Sequence, residues 1–155
     1  MSLPRRILVP VDFGEPSGVA LDYATELAAK LDAEVVVLHV YEIPMLSVPD
    51  APWVISSDVI SSIEAASKVA LERIIVHHKR PSVRMVPLLR AGDARTQIEA
   101  ATKESGADLV VMGTHGRRGF SRMLLGSVAE FVTRTSSVPV LTVRQGAHVE
   151  GEAAR

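Results

Sequence analysis

The chain has no cysteine among its 155 residues. That excludes disulfides, thiolate nucleophiles and Cys-ligated metal or redox centres. Aromatic residues are few: one Trp, two Tyr and three Phe. The core must therefore come from Val, Leu, Ile and Ala, a composition that suits a sheet covered by helices on both faces. No run approaches the roughly 18 apolar residues of a membrane span. The segment before Asp12 has no apolar stretch of signal-peptide length, so a cytoplasmic protein with no membrane partner is expected. The formal net charge of −1 lacks the basic excess of a general nucleic-acid binder, and no nucleic-acid partner is expected.

Several motifs are missing too. There is no G-x-x-x-x-G-K-[ST], which excludes a P-loop NTPase, and no G-x-S-x-G nucleophile elbow. The first strand-to-helix turn reads "VDFGEPSG" and lacks the G-x-G-x-x-G dinucleotide fingerprint. The histidines form no ligand-spaced cluster. His77 and His78 are adjacent on a helix and are expected at the surface, His39 reads as a satisfied core histidine, and His115 has no visible partner base.

What is present is a regular alternation. Apolar runs at Arg6–Val11, Glu34–Val40, Val83–Leu89, Asp108–Met112 and Val138–Val143 read as strands. Pro87 cannot donate to a ladder and makes the third strand peripheral. Between the strands lie amphipathic segments. One carries Ala20, Ala24, Leu27, Ala28 and Leu31 on a single face. A second, from Asp58 to about Lys79, carries Ile60, Ile63, Ser67, Ala70, Leu71 and Ile74. A third starts at Asp93 as cap and stops at Gly106, with Ala94, Ile98 and Ala101 inward; a fourth starts near Ser127. Residues 42–57 carry Pro44, Pro49 and Pro52, which preclude a regular helix there. Met45, Leu46, Trp53, Val54 and Ile55 would pack that loop as a lid, pack it on a partner, or leave it mobile. The expected fold is α/β, a single-domain, doubly wound, Rossmann-like sheet of five parallel strands in the order 3-2-1-4-5, with helices on both faces. Residues 1–144 form the domain and 145–155 a polar tail.

In such a sheet, ligands bind outside the carboxyl ends of the strands, near the topological switch point. "PVDF", "HVY" and "MGTHG" should meet there. The last of these opens "MGTHGRRGFSRMLLGSVAEF", which holds four of the chain's ten glycines, Gly113, Gly116, Gly119 and Gly126. Glycines on either side of a loop carrying Arg117, Arg118 and Arg122, ahead of a helix start, make an anion cradle. The alternative is purely structural: turn glycines, solvated arginines, and a Ser127–Glu130 capping box. Asp12 follows a buried strand, where a carboxylate needs partners. It either accepts ribose hydroxyls or helps a divalent cation, or it caps the next helix, and these roles are compatible.

Gly113-x-x-Gly116, nine residues, then Gly126-Ser127 is a G-2x-G-9x-G-[ST] pattern. With "ILVPVDFGEPSGVAL" and "ELAAKLDAEVVVLHVYE" in order ahead of it, the chain resembles the universal stress protein family over nearly its whole length. The complete glycine pattern marks that family's ATP-binding branch. The resemblance implies Asp12 near the ribose or phosphates, Pro10 and Val11 bordering the same pocket, and Val40 touching adenine through its backbone. It implies Met112 flanking the nucleotide, and Gly113, Gly116, Gly126, Ser127 and Val128 holding phosphates and ribose, with Arg117 as a further phosphate contact. The implied cofactor is ATP with Mg²⁺ or Mn²⁺, the metal held mainly by phosphate oxygens and water with Asp12 as a possible ligand. The implied partners are a second copy, paired through the last strand Val138 to Val143, and a protein of unknown identity. The implied function is a nucleotide-dependent stress-response or signalling module. Two alternatives stand beside it: a slow ATPase or autophosphorylating enzyme using Ser127 or Ser121, and an interaction protein that binds no nucleotide.

Overall fold

The computed structural model describes residues 3–43, 56–114 and 125–144. The elements run β1 (Arg6–Pro10), α1 (Glu15–Leu31), β2 (Glu34–Tyr41), α2 (Ser57–His78), β3 (Met85–Ala91), α3 (Ala94–Ser105), β4 (Leu109–Gly113), α4 (Ser127–Thr135) and β5 (Val140–Val143). All strand pairs are parallel, in one sheet of order β3-β2-β1-β4-β5. This is the doubly wound arrangement the alternation predicts.

Alternate residues of each strand feed opposite faces. Ile7, Val9, Val35 and Val37 pack with Ala20, Leu21, Ala24, Ala28 and Leu71, which puts α1 and α2 on one face. Leu8, Val36, Leu38 and Val110 pack with Ile98, Ala101, Ala129 and Val132, which puts α3 and α4 on the other. Strands buried on both sides explain the unbroken aliphatic runs. Fully burying each such side chain contributes about 1.5–3 kcal/mol.

Local chemistry sets the element ends. Asp93 caps α3 by accepting from the Thr96 N–H at 3.0 Å. That bond, then the Thr96 hydroxyl and the Arg95 charge, holds the Asp93 carboxyl below the ordinary carboxylate range. Gly106 closes α3 in the left-handed conformation, φ 65°. At the opposite end of the sheet from the carboxyl termini, the Asp108 carboxylate accepts from the backbone N–H groups of Arg5 (2.9 Å) and Arg6 (3.1 Å) and pins the start of β1 beside β4. Pro87 sits in edge strand β3, as expected. The Val35 N–H bonds to the Arg84 carbonyl, so the even-numbered residues of β3 face β2 and the Pro87 nitrogen turns outward.

His78 departs from the surface expectation. Its side chain is only 10% exposed, and it lies in the α1–α2 seam against Gly18 with Nδ1 on the Asp22 carboxylate. It is a pairing between distant positions that helix periodicity does not reveal. Residues 44–55, which hold the proline-rich loop, and the tail from 145 lie outside the described residues.

Candidate functional site

The strands part at the switch point for a covalent reason. Val11 gives its N–H to the Leu38 carbonyl of β2 at 2.8 Å, so the preceding nitrogen, that of Pro10, faces β4 and has no hydrogen to donate. The β1–β2 register runs to Pro10 opposite Leu38, whereas the β1–β4 register stops at Leu8 opposite Val110. A cleft of about 200 Å³ opens beyond that stop.

Nine of the sequence-predicted site residues line this one cleft: Pro10, Val11, Asp12, Val40, Met112, Gly113, Gly126, Ser127 and Val128. Gly116 and Arg117 lie outside the described residues, as do Arg118, Arg122, His115 and Ser121. Leu38, Ala94, Ile98 and Ala129 complete an apolar floor and wall, and Ser17 and Thr114 add buried hydroxyls. The sequence reading missed these six as site residues. Ala94 and Ile98 were legible as the inward stripe of α3, but nothing in that stripe says that its first turn runs out into the cleft mouth.

The β1–α1 turn is strapped from within. Asp12 Oδ1 accepts from the Gly14 N–H at 2.9 Å. The Asp12 N–H donates to Ser17 Oγ at 3.3 Å, and the Ser17 hydroxyl donates to the Gly14 carbonyl at 3.0 Å. Asp12 is therefore not the helix cap that sequence allowed; Gly14 is the N-cap and makes no side-chain bond. Between them Phe13 takes φ 63°, a left-handed conformation that costs a bulky residue about 1–3 kcal/mol. Its ring rests on His39, with centroids 4.1 Å apart.

On the other wall, Thr114 clamps the neck of the glycine-rich loop. Its N–H donates to the Val143 carbonyl at 3.1 Å, and its carbonyl accepts from the Gly126 N–H at 2.6 Å. Gly126 is the N-cap of α4, and among the described residues no side chain caps that helix. The Ser127–Glu130 capping box is absent, because Ser127 is already the first helical residue and the Glu130 N–H returns to the Gly126 carbonyl at 2.8 Å. The amides of Ser127, Val128 and Ala129 are thus first-turn donors without an intrahelical acceptor, beside an apolar cleft. By contrast α2 and α3 are capped by Ser56 and Asp93.

Gly113 also has a packing role that its spacing does not reveal. A Cβ there would lie 2.7 Å from the Pro16 carbonyl oxygen and 2.8 Å from its carbon. The missing side chain admits the first turn of α1 beside the cleft that Gly113 lines. Among the described residues no group of three or more His, Asp or Glu is placed to hold a metal ion, and no helix is long and apolar enough to cross a membrane.

A doubly wound parallel sheet of five strands, with a cleft at its switch point beside the first turn of α4, defines an α/β protein of the Rossmann-like class. Residues 4–144 match the universal stress protein family, and the chain belongs to it. It is 30% identical over 146 residues to Universal stress protein MJ0531 of Methanocaldococcus jannaschii, covering 93% of this chain and 84% of that one. A universal stress protein family structure from Burkholderia pseudomallei is 31% identical with TM-score 0.69, covering 89% of this chain and 94% of that one. A family member from Arabidopsis thaliana, solved with AMP bound, superposes with TM-score 0.65 at 22% identity, covering 93% of this chain and 94% of that one. At that identity the likeness is one of fold.

Because Gly113 is filled by Pro16, Gly113→Ala is expected to destabilise the nucleotide-free protein by about 1–3 kcal/mol. Chemical denaturation without added ligand measures this. An unchanged midpoint would show that the contact with α1 is dispensable.

Proposed function

We propose that the cleft binds ATP with Mg²⁺ or Mn²⁺, and that the protein is a nucleotide-dependent stress-response or signalling module. The observation that carries this reading is the uncapped first turn of α4, placed beside an apolar cleft at the end of the G-2x-G-9x-G-[ST] pattern. Three amides at a helix N-terminus suit phosphate oxygens, through both their unmade hydrogen bonds and the helix dipole. Leu38, Ile98, Met112 and Val128 suit the flat apolar faces of a purine. At about 200 Å³ the cleft is smaller than the ~300–1,000 Å³ of typical ligand pockets. In this reading it holds base and ribose, and the phosphates run outward along the first turn of α4. Asp12, held by the Gly14 N–H, faces the ribose or a metal on the phosphates. The metal is held chiefly by phosphate and water oxygens. AMP in the Arabidopsis relative is consistent with the same ligand class.

ATP with Mg²⁺ at 100 times its Kd should stabilise the protein by about 2.7 kcal/mol. Ala94→Phe, which places a ring in the cleft mouth, should abolish that gain with little change in the ligand-free melting temperature. No gain in the parent protein, or an equal gain in the variant, would refute the assignment.

The same reading includes a homodimer. β5 is an edge strand, and its Val140, Leu141 and Thr142 are only half-buried. An apolar edge of this kind pairs readily with another chain. Sedimentation equilibrium at tens of micromolar is expected to give twice the chain mass, and a single-chain mass would exclude this interface.

A further inference from the structure

His39 sits in β2 one residue before Val40, and its Nδ1 lies 2.8 Å from the Val11 carbonyl oxygen. A carbonyl only accepts, so Nδ1 carries the proton and the neutral ring is the Nδ1–H tautomer. The position of that bond matters more than its strength. In a parallel ladder the N–H and C=O of one residue point to the same side. Leu38 accepts from Val11 on the β1 side, so Val40, two residues on, presents its N–H and C=O to that side as well. The next rung of the ladder would be the Val40 N–H on the Val11 carbonyl. That rung is absent among the described residues: the β1–β2 register ends at Pro10 opposite Leu38, while β2 continues on its other side to Tyr41 opposite Ala91. The imidazole occupies the acceptor that the Val40 amide would otherwise use.

We infer that His39 is a positioning residue for the ligand. By taking the Val11 carbonyl out of the ladder it leaves the Val40 peptide, one donor and one acceptor on one edge, open to the hydrogen-bonding edge of a heterocycle in the cleft. The same ring supports Phe13 at φ 63°, and so fixes the turn that presents Asp12 to the other end of that ligand. One side chain thereby sets both polar contacts on the β1–β2 side of the cleft. The ligand part of this inference rests on the nucleotide reading above; the ladder part does not.

The experiment has two arms. The first uses the ligand-free protein. Imidazole ¹⁵N shifts above the ring's titration should show His39 protonated at Nδ1, and the Val40 amide should exchange rapidly with solvent. In His39→Leu the rung can close, and Val40 exchange should slow by at least tenfold. In His39→Asn, whose amide can donate from nearly the Nδ1 position, Val40 exchange should stay fast. The second arm is ATP–Mg²⁺ titration by calorimetry. Kd should rise about tenfold in His39→Leu, the equivalent of one lost hydrogen bond, and return to within about threefold in His39→Asn. An Nε2–H tautomer, or Val40 exchange unaffected by His39→Leu, overturns the inference even if ATP binds. If the parent protein binds no ATP, the nucleotide reading falls, and the first arm alone still decides the role of His39. Should His39→Leu not fold, the tautomer and the parent Val40 exchange rate carry the decision.

Discussion

The carboxyl end of the sheet depends on one interruption in hydrogen bonding. β1 pairs with β2 through Pro10 but with β4 only through Leu8, because the Pro10 nitrogen faces β4 with nothing to donate. Continued pairing would hold the two central strands together and leave no cleft. Everything that approaches that gap is arranged around the early stop: the strapped Asp12 turn, the first turn of α3, and the Thr114–Gly126 neck ahead of α4. The switch point of a doubly wound sheet supplies the location, and one imino acid opens it.

Glycines and caps then divide the labour around the cleft. Gly113 serves the scaffold, since the Pro16 backbone occupies the place of its side chain. Gly126 serves the opposite wall by capping α4 without a side chain, which leaves the next three amides without an intrahelical acceptor. Asp93 and Ser56 quench their own helix starts with side-chain oxygens. α1 also starts at a glycine without a side-chain cap, so what distinguishes α4 is that its first turn lines the cleft with Ser127, Val128 and Ala129.

The order of strands and the two buried faces were legible in the sequence from hydrophobic period, strand ends pointed to the cleft, and the resemblance to the family named nine of its residues. Pro87 marked an edge strand for the same covalent reason that Pro10 marks a strand end. Contacts set by the third dimension were not legible. "SVAE" reads as a capping box, yet the chain enters α4 one residue earlier, so Ser127 is inside the helix. Asp12 reads as a cap, but a two-residue Asx turn places Gly14 there instead. Ser17 and Thr114 look like ordinary helix and loop residues; only the bonds to Asp12, Gly14, Val143 and Gly126 show that they frame the site. His78 reads as a surface residue because its partner, Asp22, lies on another helix.

Under the proposed function, one cleft at the β1–β4 divide receives the nucleotide. Amide chemical-shift mapping tests this most directly. Adding ATP–Mg²⁺ to ¹⁵N-labelled protein should move the resonances of Val11–Gly14, Val40, Met112–Thr114 and Ser127–Ala129 together, and leave the far end of the sheet around Arg5, Glu34 and Asp108 unmoved. Shifts confined to any other surface, or none at saturating nucleotide, would contradict it.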